Sequence, residues 1–420
     1  MKHKKDKISR RGFLKTIGAA GTVSAFAGLE KVLASVDLPA SPNEPNAVDP
    51  NSPAREKKSK IPLRKLGKTG CLIPCLSLGA NRLDSQLMLR SALQWDITYW
   101  DTANSYTGGN SEQTIGKVLS ASPQIRKDLF IVTKASRAKE PEDIEKCLKS
   151  SLEGMNTDYV DLYMFHGLSS GSQLTDRLRE WVEDAKKRKL IRFFGFSTHE
   201  NMAECLLAAS KLDWVDAIMT SYNFRLMQDA QLQQAIEACF KAGIGLVAMK
   251  VLGQRLGHKI ETDEDKKLVE HFLKKGLTEE QAKIKAVLQD KRISSACVGM
   301  SNVTELATNA KAVIDTAELT AEDKEILAGY SRSTCELYCA GCSQICSKAS
   351  PDMPYIADVM RHLMYYNSYG DHEMARELFA QLPAAAKSRL LTADYSLAEA
   401  RCPNRLPIAK LIKEASAKLA

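Results

Sequence analysis

Four side chains that could transfer a proton and hold charge together occupy comparable points of the sequence. Asp101, Lys134 and His166 each come at or just after the end of a short run rich in β-branched, aromatic or other apolar residues, and Tyr106 lies five positions beyond Asp101. A tyrosine has an unperturbed pKa of about 10, so rapid proton transfer at neutral pH requires something that favours its ionised form. A lysine ammonium would lower the pKa of the phenol, and an aspartate would keep that lysine charged and oriented.

His166 extends this group, because an imidazole can hydrogen-bond a carbonyl oxygen and fix its approach. Each of the four residues has an ordinary alternative. An aspartate after a strand often caps a helix, a lysine is usually solvated, and a histidine near a strand end is often structural. Their occurrence together at successive strand ends favours a shared catalytic role.

The elements that must position these residues alternate between strands and helices. Eight β-rich runs are predicted at Cys75–Gly79, Ile97–Trp100, Leu129–Thr133, Tyr159–Phe165, Ile191–Phe196, Val215–Thr220, Gly245–Met249 and Ser295–Val298. Amphipathic stretches between them include Pro141–Met155, Leu174–Lys189, Asn201–Lys211, Ala230–Lys241 and Thr278–Gln289. Eight such repeats over about 250 residues are typical of a (β/α)₈ TIM barrel, whose active site lies where the strands end. A turn at Leu66–Gly70 predicts a small hairpin before the first barrel strand.

The residues around the proposed catalytic group form recurring blocks. The blocks are Asp101-Thr102-Ala103-Asn104-Ser105-Tyr106, Ser111-Glu112-Gln113-Thr114-Ile115-Gly116, Thr133-Lys134, Met164-Phe165-His166-Gly167 and Gly195-Phe196-Ser197. They resemble the signature of the aldo-keto reductases over about Leu63 to Val313. The resemblance implies hydride transfer between NADP or NAD and a small-molecule carbonyl or alcohol. It also implies that Tyr106 is the general acid and base.

A loop after the last predicted strand, Gly299 to Asn309, resembles the phosphate-binding loop and helix start of the same family. Helix N-termini and loop amides are suited to binding phosphates. The resemblance implies cofactor contacts from Ser197, Met249, Lys250, Gly299, Ser301 and Asn309. In that set Ser197 is the carboxamide contact, and Met249-Lys250 offers a polarisable platform and a cation.

The cofactor region also departs from the family pattern. Met219 stands where many relatives have a glutamine, and Met249 where many have a tyrosine, so Met249 has an alternative interpretation as a core residue. Asn302 and Glu305 occupy the neighbourhood in which a basic residue often holds the 2′-phosphate. The choice between NADP and NAD therefore stays open.

Five cysteines are concentrated in the C-terminal part of the chain. Cys335, Cys339, Cys342 and Cys346 lie within 12 residues, and Cys402-Pro403 follows after predicted helices. The spacing resembles iron–sulfur ligation in bacterial ferredoxins, and some aldo-keto reductases carry a ferredoxin-like extension. The resemblance implies a 4Fe-4S cluster on Cys339, Cys342, Cys346 and Cys402, with Cys335 as the alternate ligand. A zinc site and disulfides are the competing interpretations.

The N-terminal segment has the features of an export signal. The basic sequence Ser9-Arg10-Arg11-Gly12-Phe13-Leu14-Lys15 precedes a Gly/Ala-rich apolar run from Thr16 to Leu29, which resembles a twin-arginine (Tat) signal. We expect the Tat translocase as a partner and a periplasmic or otherwise extracytoplasmic location, with a membrane tether if the signal is not cleaved. The expected organisation is a signal over 1–35, a disordered linker over 36–61, the barrel over 62–330 and a helical, cysteine-rich iron–sulfur extension over 331–420.

Charge and composition exclude one class of partner. The formal net charge is +8, but residues 1–35 contain eight Lys/Arg against two acidic residues, which leaves only +2 for the rest. No nucleic-acid partner follows from that surplus. The leading hypothesis is a nicotinamide-dependent reductase with a possible redox partner. The alternative is a catalytically weak barrel that acts in binding or electron transfer through its C-terminal module.

Overall fold

The computed structural model describes residues 60–256 and 262–420. The predicted export signal and nearly all of the predicted linker lie outside the described residues. The described residues belong to one compact unit. None of their helices is both long enough and apolar enough to cross a lipid bilayer.

A two-stranded antiparallel hairpin precedes the barrel, as the turn at Leu66–Gly70 predicts. Its strands are β1 (Leu63–Lys65) and β2 (Leu72–Pro74). Leu66 and Ile73 are fully buried in the cluster that fills the barrel interior. Gly67 has φ +49°, and a Cβ on it would lie 2.3 Å from the carbonyl oxygen of Gly243, so the turn can press against the barrel only with glycine at that position.

Eight parallel strands close into a barrel, which confirms the predicted fold. The strands are β3 (Leu76–Gly79), β4 (Tyr99–Asp101), β5 (Phe130–Ala135), β6 (Val160–His166), β7 (Ile191–Thr198), β8 (Ala217–Ser221), β9 (Gly245–Met249) and β10 (Ile293–Gly299). Each strand pairs with the next, and β10 pairs with β3. The strands are almost entirely buried because side chains fill the barrel and helices cover its outside.

Helices connect the barrel strands along its outer face. They are α1 (Gln86–Gln94), α2 (Asn110–Ala121), α3 (Pro141–Met155), α4 (Asp176–Lys187), α5 (Met202–Ala209), α6 (Ala230–Lys241), α7 (Asp263–Leu273), α8 (Glu279–Leu288) and α9 (Val303–Ile314). Helix starts follow the usual capping chemistry: Asp229 accepts from two backbone amides of α6, and Thr278 forms a capping box with Gln281 at α8. The extra helix α7 between β9 and β10 was not predicted.

The C-terminal part of the chain is entirely helical. It contains α10 (Ala321–Ser333), α11 (Ser343–Ala349), α12 (Ile356–Met364), α13 (His372–Ala380), α14 (Ala384–Arg389), α15 (Ser396–Arg401) and α16 (Ile408–Leu419). Helix α12 continues into a π-helical turn at Tyr365–Tyr369. A separate apolar core, with Val359, Leu363 and Ile412 at its centre, holds α12 to α16 together. We call residues 335–420 the tail.

The tail packs on the face of the barrel where the strands end. The amide of Asn201, after β7, donates to the carbonyl oxygen of Gly341 at 2.9 Å, and the amide of Leu256 donates to Leu337 at 2.7 Å. Gly341 has φ +76°, and a Cβ on it would lie 2.1 Å from the carbonyl oxygen of His199. The cysteine-containing loop therefore lies directly against the loop that follows β7.

Candidate active site

Three successive strand ends and one turn bring the predicted catalytic residues together. Asp101 ends β4, Lys134 lies near the end of β5, and His166 ends β6, while Tyr106 begins a short helical turn. The ammonium nitrogen of Lys134 lies 2.7 Å from the Asp101 carboxylate, 2.8 Å from the carbonyl oxygen of Thr102 and 3.2 Å from the Tyr106 hydroxyl. All three ammonium protons therefore have an acceptor inside the protein.

Burial sets the charge states of this group. It disfavours the ammonium form of Lys134, but the facing Asp101 and Tyr106 outweigh that effect and raise the pKa of Lys134. Burial also raises the pKa of Tyr106, and the opposing influence of Lys134 does not cancel it. Lys134 thus lowers the pKa of the phenol, as expected, but burial outweighs this influence and the pKa of Tyr106 lies above its usual value. At neutral pH, Tyr106 carries a proton that it can give away.

His166 is held as a neutral imidazole beside Tyr106. The two rings are 5.8 Å apart and nearly perpendicular. Burial, with Lys134 nearby, lowers the pKa of His166 to about 3. Ser136 lies 2.5 Å from Nδ1 of His166, and its oxygen already accepts a hydrogen bond from Ser105. A Ser136 hydroxyl that donates to Nδ1 leaves the ring proton on Nε2, from which it can be donated to a ligand.

Sequence reasoning did not identify Ser105 and Ser136. The available signal was the position of Ser136, two residues beyond Lys134 at the same strand end. Its backbone amide donates to the side chain of Asn104 at 3.0 Å, which ties the end of β5 to the loop that carries Tyr106. These bonds orient His166 relative to the catalytic tyrosine.

These residues open onto a cavity of about 470 Å³. Barrel residues on its wall include Tyr106, His166 and Met219. The other wall comes from the tail, which contributes Arg361, His362, Tyr365, Ser368, Tyr369 and Asp371. The tail thus forms part of the cavity wall, a feature that no local sequence pattern predicted.

The predicted cofactor residues divide into two groups. Met249, Lys250, Gly299 and Ser301 line the cavity. Ser197 and Asn309 are almost fully buried, and the Ser197 hydroxyl accepts a hydrogen bond from the amide of Gly167 at 3.0 Å. The structure therefore brings four of the six residues together on the cavity wall.

The loop amide expected to meet a phosphate already has a carboxylate partner. The amide of Ser301 donates to Glu305 at 2.8 Å, while the Asn302 side chain caps α9 by accepting from the amide of Glu305 at 2.9 Å. An incoming phosphate would have to displace this carboxylate and would be repelled by it.

Four of the five tail cysteines line one narrow cavity. Cys339, Cys342, Cys346 and Cys402 share it with apolar side chains that include Ile345, Met360 and Ile408. Cys335 is not in the wall, and its sulfur instead accepts from Arg405 at 3.8 Å. The cavity therefore groups the four cysteines that the spacing singled out and leaves the fifth outside.

Burial disfavours the free anions of three thiols in this cavity. Burial raises the pKa of Cys339 and of Cys346 to about 12 and that of Cys342 to about 11. All eleven cysteines lie within the described residues, and none forms a disulfide. Within residues 60–256 and 262–420, no three His, Cys, Asp or Glu side chains are close enough to hold a single metal ion.

Comparison with known proteins identifies the family. The model of the Aldo/keto reductase family matches residues 77–329, so the chain belongs to this family and is an oxidoreductase of it. Members of the family use NADP(H), as the name of one relative, aldo-keto reductase yakc [NADP(+)] from Schizosaccharomyces pombe, records. The tail lies beyond the matched residues.

Individual relatives match about two thirds of this chain. L-galactose dehydrogenase of Arabidopsis thaliana is 28% identical over 299 residues, which is 64% of this chain and 93% of that protein. L-glyceraldehyde 3-phosphate reductase of Escherichia coli (strain K12) is 24% identical over 330 residues, 65% of this chain and 95% of that protein. The solved structure of the thermostable aldo-keto reductase Tm1743 with epalrestat superimposes with a TM-score of 0.54 at 26% identity. It covers 64% of this chain and all of that one.

Proposed function

We propose that the protein reduces a small polar carbonyl compound, or oxidises the corresponding alcohol, with Tyr106 as the general acid and base. The observation that carries this proposal is the contact of a protonated Tyr106, on the wall of the cavity, with a buried, charged Lys134. The nicotinamide cofactor, when bound, supplies the hydride that reaches the carbonyl carbon. Tyr106 gives its proton to the carbonyl oxygen, and Lys134 stabilises the phenolate that remains.

Asp101 and His166 support this step without exchanging their own protons with the substrate. Asp101 keeps Lys134 charged and fixed at 2.7 Å. The Nε2 proton of His166 is available to the substrate oxygen while negative charge develops there. Each group is already in the protonation state that the reaction requires. No proton therefore has to enter from bulk water before Tyr106 gives its proton to the substrate.

For the cofactor we propose NADP or NAD against Met249, Gly299 and Ser301, with Met219 nearby. Met249 and Met219 would provide a polarisable apolar surface for the nicotinamide ring. Ser197 and Asn309 contribute less directly than the sequence suggested, since both are buried. The carboxylate of Glu305 beside the Ser301 amide argues against strong selection for a 2′-phosphate.

Substitution of Tyr106 by phenylalanine tests the catalytic proposal. We expect turnover of the reduced cofactor with an aldehyde to fall about 10²- to 10⁴-fold, while cofactor affinity stays unchanged. Tyr159→Phe, at the opposite end of β6, is the matched control and should behave as wild type. Equal activity of Tyr106→Phe and wild type would favour the alternative function, a binding or electron-transfer barrel, which the substitutions at Met219 and Met249 motivate.

We also propose that Cys339, Cys342, Cys346 and Cys402 hold a 4Fe-4S cluster. Four partly buried cysteines around one apolar cavity support it, since iron would stabilise the thiolates that burial disfavours at Cys339, Cys342 and Cys346. The free thiols argue against disulfides. When bound, such a cluster exchanges single electrons, which would suit a redox partner.

Iron and sulfide analysis of anaerobically purified full-length protein tests the cluster. We expect about four irons per chain, no stoichiometric zinc, and visible absorption that Cys342→Ser abolishes. Cys335→Ser is the matched control and should retain both iron and absorption. If the purified protein contains no iron and shows no visible absorption, the cluster proposal fails and the four cysteines have only a packing role.

The N-terminal twin-arginine sequence supports export of the folded, cofactor-loaded protein by the Tat translocase to an extracytoplasmic location. Free nicotinamide cofactor is scarce there, so we propose a tightly retained cofactor or a partner that restores it. Replacement of both Arg10 and Arg11 by lysine should keep the protein in the cytoplasm. Unchanged export of that variant would contradict the proposed route.

A further inference from the structure

One wall of the reaction cavity is rich in nitrogen-bearing side chains that the reduction step does not use. Lys250 and His199 come from strand ends of the barrel, and Arg361 and His362 come from α12 in the tail. The barrel and tail thus contribute to the same wall. Whether these groups are already neutralised by neighbouring carboxylates determines what the wall can bind.

Arg361 already has carboxylate partners. Its guanidinium pairs with Glu200 of the loop after β7 and with Asp358 of its own helix. These contacts join the tail to the barrel and compensate the positive charge of Arg361. Arg361 is therefore a positioning residue, which holds α12 against the cavity.

Lys250 has a different environment. Its ammonium lies 3.3 Å from the Tyr365 hydroxyl and 4.8 Å from the centre of that ring, and it forms no ion pair with the part of the chain that the structure describes. Its backbone has φ +53°, and its carbonyl oxygen accepts from the Asn223 side chain at 3.0 Å. A lysine in this uncommon backbone conformation, held by a buried asparagine, is aimed into the cavity by the surrounding fold.

His362 provides an independent sign of a missing ligand. The side chain is 4% exposed and lines the cavity, yet its Nδ1 has no hydrogen-bond partner among the described residues. Buried polar atoms are nearly always hydrogen-bonded in native proteins, so an unpaired ring nitrogen at a cavity wall indicates a ligand or water. Tyr365, on the following turn, adds a hydroxyl beside the same wall.

Most carboxylates around the cavity already have a partner or face solvent. One oxygen of Asp371 pairs with Arg82 at 2.6 Å, while its Oδ2 is buried without a partner among the described residues. Glu200 pairs with Arg361, Glu305 accepts from the Ser301 amide, and Glu377 is exposed. Burial and the nearby Arg361 hold the pKa of Lys250 well below its usual range. A bound anion would favour its charged form and remove that penalty.

We propose that Lys250, His362 and Tyr365 form a subsite for an oxyanion, the carboxylate or phosphate group of the carbonyl substrate. The inference rests on the proposed reductase function and narrows its substrate class to short oxo acids or phosphorylated aldehydes. The anionic group takes no part in the reaction. The carbonyl carbon gains the hydride, the oxygen gains the Tyr106 proton, and the product is a hydroxy acid or a phosphorylated alcohol.

The subsite lies at a suitable place for this selection. Burial and the nearby Tyr106 raise the pKa of Tyr365 to about 12 despite the opposing Arg361, so Tyr365 remains a hydrogen-bond donor close to the catalytic tyrosine. A short substrate could therefore place its carbonyl at Tyr106 and its anionic end at Lys250. Substrate selection would then depend on the tail, which supplies two of the three subsite residues.

Two matched pairs of aldehydes test the proposal with full-length protein. Glyoxylate is compared with glycolaldehyde, and glyceraldehyde 3-phosphate with glyceraldehyde. We expect kcat/KM to be roughly 10- to 100-fold higher for the anionic member of at least one pair. The pair that shows this preference tells whether the subsite binds a carboxylate or a phosphate. In Lys250→Met and His362→Gln this ratio should fall towards one. Lys241→Met, on the outside of α6 at the opposite end of the barrel, should preserve it.

Three outcomes separate the possible failures. A ratio of one in the wild type, with good turnover of the neutral aldehydes, overturns the subsite and leaves the reductase proposal standing. An unchanged ratio in Lys250→Met together with weaker binding of the reduced cofactor assigns Lys250 to the cofactor pyrophosphate and also overturns it. If no aldehyde is reduced, the proposed function fails, and calorimetric titration with glycolate and inorganic phosphate decides the subsite: binding by wild type but not by Lys250→Met supports it, and equal or absent binding overturns it.

Discussion

The catalytic group of the barrel and the cysteine group of the tail are built in different ways. In the barrel, the Lys134 ammonium is held by the Asp101 carboxylate at 2.7 Å and the Tyr106 hydroxyl at 3.2 Å at the strand ends. In the tail, Cys339, Cys342 and Cys346 face an apolar space, and burial raises the pKa of each thiol. The barrel lysine therefore has its counter-charge within the protein, whereas no positive charge among the described residues offsets the burial of the tail thiols and stabilises their anionic form.

The largest expected effect is in the barrel. Lys134→Met should reduce turnover about 10²- to 10⁴-fold and lower the free energy of unfolding by about 3–5 kcal/mol, because it leaves the Asp101 carboxylate buried without its partner. Lys134→Met combined with Asp101→Asn should recover part of the stability and none of the activity. Denaturant unfolding and steady-state kinetics measure the two. If the free energy of unfolding of Lys134→Met equals that of wild type, the interpretation that Lys134 compensates the buried charge of Asp101 is contradicted.

The contact between tail and barrel can be broken at one glycine. Gly341→Ala should destabilise the protein by roughly 2–4 kcal/mol and raise the KM for the carbonyl substrate, since a Cβ there meets the carbonyl oxygen of His199. Gly370→Ala is the matched control: φ is +68° and nothing lies within 4 Å, so only the backbone cost of about 1 kcal/mol remains. Equal effects of both substitutions on KM would indicate that the tail does not shape the active site.

Buried histidines in both regions predict a dependence of stability on pH. Burial lowers the pKa of His166 and of His362 to about 3, so the unfolded chain binds more protons than the folded one between about pH 6.5 and 3. Stability should fall with acidification across that window, by about 1 kcal/mol per pH unit for each histidine at its acid side. In thermal unfolding, the stability of His362→Gln should depend less steeply on pH than the stability of wild type. An unchanged slope would contradict the burial of a neutral His362.

The smallest expected effect concerns cofactor choice. Glu305→Gln removes a carboxylate from the Ser301 amide and should improve the ratio of NADPH to NADH affinity several-fold, or by about 1 kcal/mol. Lys311→Gln, on the same helix, serves as the control. Fluorescence titration of the two cofactors measures the ratio. An unchanged ratio of NADPH to NADH affinity would mean that the 2′-phosphate does not approach the Ser301 amide.

Much of the barrel could be predicted from the sequence because its signals are local. Alternating apolar runs and amphipathic stretches gave Pro141–Met155 and Ala230–Lys241 with the observed bounds, and the ends of parallel strands necessarily meet at one rim. For the same reason Asp101, Lys134 and His166 could be grouped before any contact was known. The cysteine spacing likewise singled out the four residues that share a cavity.

The remaining features depend on packing between distant segments. Spacing cannot reveal that Tyr365 and His362 from the tail reach the barrel cavity, since helix periodicity is the same wherever a helix docks. The sequence also does not show burial, which outweighs the expected lowering of the Tyr106 pKa by Lys134 and removes Ser197 from the cavity wall. Charge states and cavity walls are thus properties of the whole fold.

The most direct test of the central claim is to follow the hydride itself. Reduced cofactor carrying deuterium at the transferred position is incubated with glyoxylate or glyceraldehyde and full-length protein, and the alcohol product is analysed by mass spectrometry. We predict deuterium in the product with wild type and its loss with Tyr106→Phe, while Tyr159→Phe matches wild type. Tight cofactor binding without any deuterium transfer in the wild type would contradict the assignment of Tyr106, Lys134, Asp101 and His166 as a working reductase site.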